Sequence, residues 1–241
     1  MVNVNKKSTI KISPSIFRNG SGVYGGADSN TGNFPCGEAF YIGELGWGTS
    51  PGQAPCGGGA AFNSTAAAAI NDQDNCATYG YWFLMGPLAD PNYNGTTSEA
   101  YTWGQKQGNA TDTAWGNNAA VCNEVIFADM ENYVPCPGIV PANNGWDQSN
   151  ISLNQQVWEG WYNTINALQT PGVYSSPDFW STFMGNYALP SGVTEWTSEP
   201  QESGCPGTWS AESFGGLFAD IWQFQASSAD YDIATSLPNL S

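Results

Sequence analysis

Glu124-Val125-Ile126-Phe127-Ala128-Asp129-Met130-Glu131-Asn132-Tyr133 joins an apolar, β-prone run to two carboxylates placed two residues apart. On a strand, residues i and i+2 point to one face. Asp129 and Glu131 are therefore expected to project together, with Cα atoms roughly 6.5–7 Å apart. Two acids held side by side cannot both ionise freely, so the pKa of one should rise. That is one way to obtain a protonated acid beside a charged carboxylate at neutral pH. The plainer reading is a strand that ends in a solvated acidic loop, and the rest of the chain has to decide between the two.

Segments on either side of this stretch alternate in character. Gly22–Asp28, Ala39–Leu45, Tyr79–Met85, Gly172–Ser175, Val193–Thr197, Ala219–Gln225 and Tyr231–Ala234 are short, apolar and strand-like. Between them lie helical patterns. Ala60–Asn75 is alanine-rich, and Ser98–Asn117 carries Ala100, Trp103, Gln107 and Ala110 at helical spacing. Asn150–Gln169 places Val157, Trp161, Ile165 and Leu168 on one face and stops at Pro171-Gly172. Pro177–Ala188 opens with a proline and carries Phe179, Trp180 and Phe183.

Buried strands alternating with helices imply a parallel sheet. With Glu124–Glu131 included, the strand-like segments number eight. The expected fold is a single irregular (β/α)8 TIM-like barrel of the α/β class. Some of its helices are short or missing, because the first two and the last two strands follow each other closely. Residues 1–20 read as an extended N-terminal arm and residues 21–241 as one barrel domain.

Composition narrows the chemistry. The 241 residues are 41% hydrophobic and 14% aromatic, enough for a substantial core, yet only 11% are charged. Five Lys and Arg face 21 Asp and Glu, a net charge of −16. That field repels phosphate backbones and anionic lipid, so neither nucleic acid nor a membrane is an expected partner, whereas neutral or cationic partners, sugars among them, remain. No stretch approaches the ~18 apolar residues of a membrane span. The absence of histidine excludes Ser-His-Asp and Cys-His mechanisms and His-ligated zinc. No phosphate-binding Gly-rich loop or dinucleotide fingerprint stands out, and neither a cofactor nor a metal is expected.

The six cysteines, Cys36, Cys56, Cys76, Cys122, Cys136 and Cys205, form no Cys-x-x-Cys pair. Their even number and wide spacing, with scarce lysine, point to disulfides and an extracellular, secreted protein. Met1–Ser13 carries Lys6, Lys7 and Lys11 but not the apolar core of a signal peptide. Export would then use a leader already removed, or another route.

In a parallel barrel the active site lies at the carboxyl ends of the strands. Asp28 ends the first strand and Asp129 and Glu131 end the fourth. Glu195 lies in the sixth and Asp232 in the eighth, which closure sets beside the first.

At these positions the chain resembles the family 25 glycoside hydrolases, the lysozyme-type muramidases, and their relatives. The matching segments run from residue 22 to residue 234. They are Gly26-Ala27-Asp28-Ser29, Phe127-Ala128-Asp129-Met130-Glu131, Gly172-Val173-Tyr174-Ser175-Ser176, Ile221-Trp222-Gln223-Phe224 and Tyr231-Asp232-Ile233-Ala234. The resemblance implies that Glu131 is the general acid/base. It implies that Asp129 orients the substrate's 2-acetamido group or stabilises charge beside it, and that Asp28 and Asp232 are supporting acids. It further implies a retaining reaction assisted by that acetamido group, on an N-acetylhexosamine polymer such as peptidoglycan. Three places depart from the pattern. Tyr81-Trp82-Phe83 stands where the family carries Tyr-His-Phe, Glu195-Trp196-Thr197-Ser198 where it carries apolar-Trp-x-Ala, and Ala234 where it carries Asn.

The chemistry itself needs a proton on the leaving oxygen and support for an oxocarbenium-like centre. Glu131, raised by Asp129 and by Asp28 and Asp232, would supply the first. The charged aspartates would supply the second. Trp82, Tyr174, Trp196 and Trp222, on strands or at their ends, are the candidate sugar platforms, although aromatics at such places also serve as core. Laid on a barrel, Cys36 and Cys56 follow the first two strands at the top. Cys76 and Cys122 precede the third and fourth strands at the bottom, and Cys136 and Cys205 follow the fourth and sixth at the top. The expected pairings are Cys36–Cys56, Cys76–Cys122 and Cys136–Cys205. A second function remains open: a non-catalytic carbohydrate-binding or extracellular structural protein on a degenerate glycosidase barrel.

Overall fold

The computed structural model describes residues 24–27, 39–53, 62, 77–116, 125–133, 136–138, 140–200, 206, 209–226 and 230–237. The proposed arm over residues 1–20, the alanine-rich segment 60–75 apart from Phe62, Asp28 and every cysteine except Cys136 lie outside them.

Among the described residues nine strands form one sheet: β1 Tyr24–Ala27, β2 Phe40–Trp47, β3 Ser50–Pro51, β4 Ala77–Phe83, β5 Val125–Asp129, β6 Thr170–Ser175, β7 Thr194–Ser198, β8 Ile221–Ala226 and β9 Asp230–Ala234. The order is β1-β9-β8-β7-β6-β5-β4-β2-β3, and β1 also pairs with β2. That last pairing closes an eight-stranded barrel, leaving β3 outside as a hairpin arm of β2. This is the expected irregular (β/α)8 TIM-like barrel. The sheet, expected to be parallel, is mixed. β9 runs antiparallel to both neighbours, β1 and β8. Only three residues separate Ala226 from Asp230, too few for the crossover that a parallel return demands.

Side chains alternate between two cores. Inside the barrel, Tyr24, Phe40, Ile42, Tyr79, Val125, Phe127, Tyr174, Trp196 and Ile221 pack together. Outside, Tyr41, Leu45, Trp82, Leu84, Ile126, Ala128 and Val173 pack against the helices. A third cluster of Trp222, Phe224, Tyr231 and Ile233 lies on the outer face of β8 and β9, with Trp209 and Ala211 against it. Alternation follows from the period of two along a strand. Burial of both faces explains why these strands read as continuous apolar runs.

Two helices cover one side, α1 Thr97–Gly116 and α2 Ile151–Asn166. The start of α1 is capped locally: the Thr96 hydroxyl accepts the Glu99 amide at 3.2 Å, and Asn94 Oδ1 receives the Thr96 amide at 3.0 Å. The two helices approach so closely that a Cβ on Gly104 would strike the Val157 carbonyl, and one on Gly160 the Tyr101 carbonyl. Val157, Trp161 and Ile165 of α2 are buried as their spacing predicts; Leu168 falls beyond the helix end and is exposed. The Pro177 segment forms a short turn, Pro177–Phe179, that widens into a π-helix over Trp180–Met184. Phe179, Trp180 and Phe183 are buried there.

Buried polar groups fix the chain as it leaves the barrel. On α1, Gln107 accepts the Met85 amide at 2.8 Å and donates to the Met85 carbonyl at 2.9 Å. Asn154 on α2 accepts from the Asp147 amide and donates to the Asp147 and Phe183 carbonyls. Each bond satisfies a backbone group that would otherwise be buried alone. Loops leaving β4 and β5 are thereby tied to the helical side.

Candidate active site

β5 and the residues just beyond it supply the first two acids. Asp129 shares the inward parity of Val125 and Phe127 and is buried, 6% exposed. Glu131 follows at the mouth and is partly exposed. Its carboxyl is pushed up to about 7, first by burial and then by the negative charge of Asp230. The expected neighbour for this effect was Asp129; the structure assigns the charge to Asp230 across the mouth.

Asp230 reaches that position because β9 is antiparallel. It pairs with Ala226, the last residue of β8, and so sits at the same end of the barrel as the strand termini. Asp232, one inward step deeper, pairs with Gln223 on β8 and Gly26 on β1. Asp232 was expected at a strand's carboxyl end; instead it lies in the barrel interior, fully buried. Its Oδ1 accepts the Trp196 indole N–H at 2.8 Å. Burial holds the Asp232 carboxyl well above the ordinary range, opposed by the Trp196 bond and reinforced by Asp230.

The four aromatic candidates divide into two pairs. Tyr174 and Trp196 face the interior, their ring centroids 4.3 Å apart. Tyr174 donates its hydroxyl to Gln223 Oε1 at 2.8 Å, and Ser198 Oγ reaches the same oxygen at 2.8 Å. Trp82 and Trp222 do not join them. Trp82 is buried in the layer between sheet and helices, and Trp222 in the outer cluster, its indole donating to the Glu199 carbonyl at 3.1 Å. Both stand at strand positions of outward parity, so neither faces the cleft. Glu195 is likewise outward: its Oε1 accepts the Phe214 amide at 2.9 Å. Burial pushes its carboxyl up to about 7, the Phe214 bond opposes this, and Asp220 adds to it.

Sequence reasoning missed Asp230, Gln223 and Ser198. Asp230 carried a usable signal, because Asp230-Tyr231-Asp232 repeats the acid-x-acid spacing of Asp129-Met130-Glu131. Gln223 and Ser198 had none, since their roles come from β6, β7 and β8 meeting in the interior. Asp28, the fourth expected acid, lies outside the described residues. Cys136 is buried and disulfide-bonded, but the proposed pairings Cys36–Cys56, Cys76–Cys122 and Cys136–Cys205 all involve undescribed residues. Among the described residues no group of three or more His, Cys, Asp or Glu side chains could hold a metal ion. No described helix is long and apolar enough to cross a membrane.

The arrangement combines a part-exposed carboxyl raised to about 7, so that a sizeable fraction still carries its proton near neutrality, with other acids within the same barrel and an indole and a phenol beside them. It can donate a proton to a leaving oxygen and support positive charge as that bond breaks.

No protein-family model matches the sequence, and no curated protein matches it. Solved structures do match. A family GH25 lysozyme from Aspergillus fumigatus superposes with a TM-score of 0.55 at 16% identity, covering 90% of this chain and 95% of that one. The Clostridium perfringens spore cortex lytic enzyme SleM gives 0.54 at 10% identity over 91% of this chain and 69% of that one. The modular autolysin LytC from Streptococcus pneumoniae gives 0.53 at 13% identity over 81% of this chain and 40% of that one. At such identities the likeness speaks to architecture: the barrel has the fold of the family 25 glycoside hydrolases.

Proposed function

We propose that this chain is a secreted glycoside hydrolase of lysozyme type that cleaves an N-acetylhexosamine-containing polymer, peptidoglycan in particular. The observation that carries the reading is Glu131: a part-exposed carboxyl at the barrel mouth, raised to about 7 by burial and by Asp230. A general acid works best when its pKa lies near the working pH. Among the structural neighbours, the autolysin LytC has also been solved in complex with a synthetic peptidoglycan ligand, which favours the same substrate class here.

In the proposed reaction the substrate's acetamido oxygen attacks the anomeric carbon while the glycosidic C–O bond breaks. Glu131 gives its proton to the leaving oxygen. Asp129, on the same wall, holds the acetamido N–H and offsets the developing positive charge. Glu131, now a carboxylate, then takes a proton from water as the hydroxyl adds to the anomeric carbon and displaces the acetamido oxygen, which regenerates the acetamido group and gives retention. Asp232 and Asp28 act as supporting acids, and Tyr174 and Trp196 form the aromatic wall.

The test compares wild type with Glu131→Gln on peptidoglycan by turbidity clearing, and on chitin-type oligomers by product analysis. A loss of about 10²-fold or more is expected. Equal activity in the two proteins would end the assignment. The complete burial of Asp232 and Trp196 favours a second reading, a glycan-binding barrel without turnover. Its signature is oligomer binding by wild type with no product from any glycan.

A further inference from the structure

The inward face of β2 carries a carboxyl that the reaction above leaves unused. Glu44 follows Phe40 and Ile42 in the inward series, whereas Tyr41 and Leu45 belong to the outer core. It pairs in register with Tyr81 on β4, which pairs in turn with Phe127 on β5. That rung lies one inward step below Asp129, which is level with Phe83 and Trp47. The pair therefore sits beneath the acids of the mouth, with β2 separated from β9 by β1 alone.

Three observations mark it as built for a ligand. Glu44 and Tyr81 are both partly exposed, whereas Phe40, Ile42, Tyr79 and Phe127 beside them on the same inward face are buried. Tyr81 is hydrogen-bonded to the Glu44 carboxyl, which occupies one side of that group. Glu44 Oε1 is itself buried and has no hydrogen-bond partner. A buried polar atom without a partner costs free energy, so it marks a place where a further polar group belongs. Tyr81 also stands edge-on to Trp196, centroids 6.3 Å apart, joining the pair to the Trp196–Asp232 bond.

We propose that Glu44 and Tyr81 form a sugar-hydroxyl subsite in the floor of the cleft, holding the hexosamine unit that enters deepest beneath Glu131. This rests on the glycan-hydrolase reading and names residues that reading does not need. A hydroxyl both donates and accepts, and a carboxyl beside a phenol offers both partners. The lone oxygen takes the sugar O–H and the phenol fixes the carboxyl's orientation. Burial pushes the Glu44 carboxyl up to about 7, against the Tyr81 bond, so around neutral pH it can meet a neutral sugar without a fixed charge.

Calorimetry with an N-acetylglucosamine tetramer, in a Glu131→Gln background that prevents turnover, separates the possibilities. Glu44→Ala should weaken binding about 10- to 100-fold. Glu44→Gln, which keeps a donor and an acceptor, should restore affinity to within about threefold. Tyr81→Phe, which keeps the ring against Trp196, should show an intermediate loss. In the active protein, Glu44→Ala should raise KM and change kcat little. Unchanged affinity in Glu44→Ala and Tyr81→Phe, with the parent binding normally, overturns the subsite and leaves the hydrolase reading intact. A drop in kcat at constant KM in both Glu44 variants overturns it as well. If the Glu131→Gln parent binds neither this tetramer nor peptidoglycan fragments, the glycan reading itself falls.

Discussion

The Trp196 indole N–H donates to Asp232 Oδ1 at 2.8 Å, joining β7 to β9 behind β8 inside the barrel. This single bond fixes an aromatic wall and an interior acid together. Asp232→Asn keeps an acceptor for the indole, so stability should stay within about 1 kcal/mol of wild type while glycan cleavage falls. Asp232→Leu leaves a buried N–H without a partner and should cost about 1–3 kcal/mol. Urea unfolding of both variants, monitored by tryptophan fluorescence, checks the pair; equal stability losses would contradict it.

Activity should fall as pH rises through about 7, because Glu131 must carry its proton into the reaction. Part of that position comes from the negative charge of Asp230, which makes ionisation of Glu131 harder. Asp230→Asn should therefore move the alkaline limb of the kcat/KM profile to lower pH. Profiles of wild type and variant on a soluble oligomer measure the shift, and coincident limbs would exclude Asp230 as the source.

Stability should depend on pH in the opposite sense from a salt-bridged protein. Glu44 and Glu195 have folded-state carboxyls raised to about 7 from an ordinary 4.5. Between those values the folded state binds more protons than the unfolded chain. Their contribution is present in full below about 4.5 and is lost as pH rises to about 7. The melting temperature should be higher near pH 5 than at pH 7.5, with a shallower slope in Glu195→Gln. A rising melting temperature over that range would refute the assignment.

Trp82 and Trp196 test the inside–outside division. Trp82 is buried between β4 and the helices, so Trp82→Ala should destabilise by roughly 3–5 kcal/mol. Trp82→Phe should leave the KM of the folded protein unchanged. Trp196→Phe removes the donor to Asp232 and should raise KM. Thermal melts beside oligomer kinetics give both readouts; a KM effect from Trp82→Phe would return that residue to the cleft.

The sequence by itself determined the strands, the main helices and the barrel, because short continuous apolar runs, the α2 stripe and the Pro171-Gly172 stop act locally. It also located the Asp129 and Glu131 pair, since an apolar strand ending in two acids is a local pattern. Which side chains meet was decided only by closure. Strands buried on both faces are apolar on both, so hydrophobicity could not tell inward Trp196 from outward Trp82 and Trp222. Direction was hidden too. Only the antiparallel return of β9 brings Asp230 to the mouth and sinks Asp232 into the interior. The charge acting on Glu131 thus comes from a residue about one hundred positions away in the chain, brought near by the sheet and not by spacing. Glu44 is likewise a lone acid in an apolar run, and only the pairing of β2 with β4 sets Tyr81 beside it on the inward face.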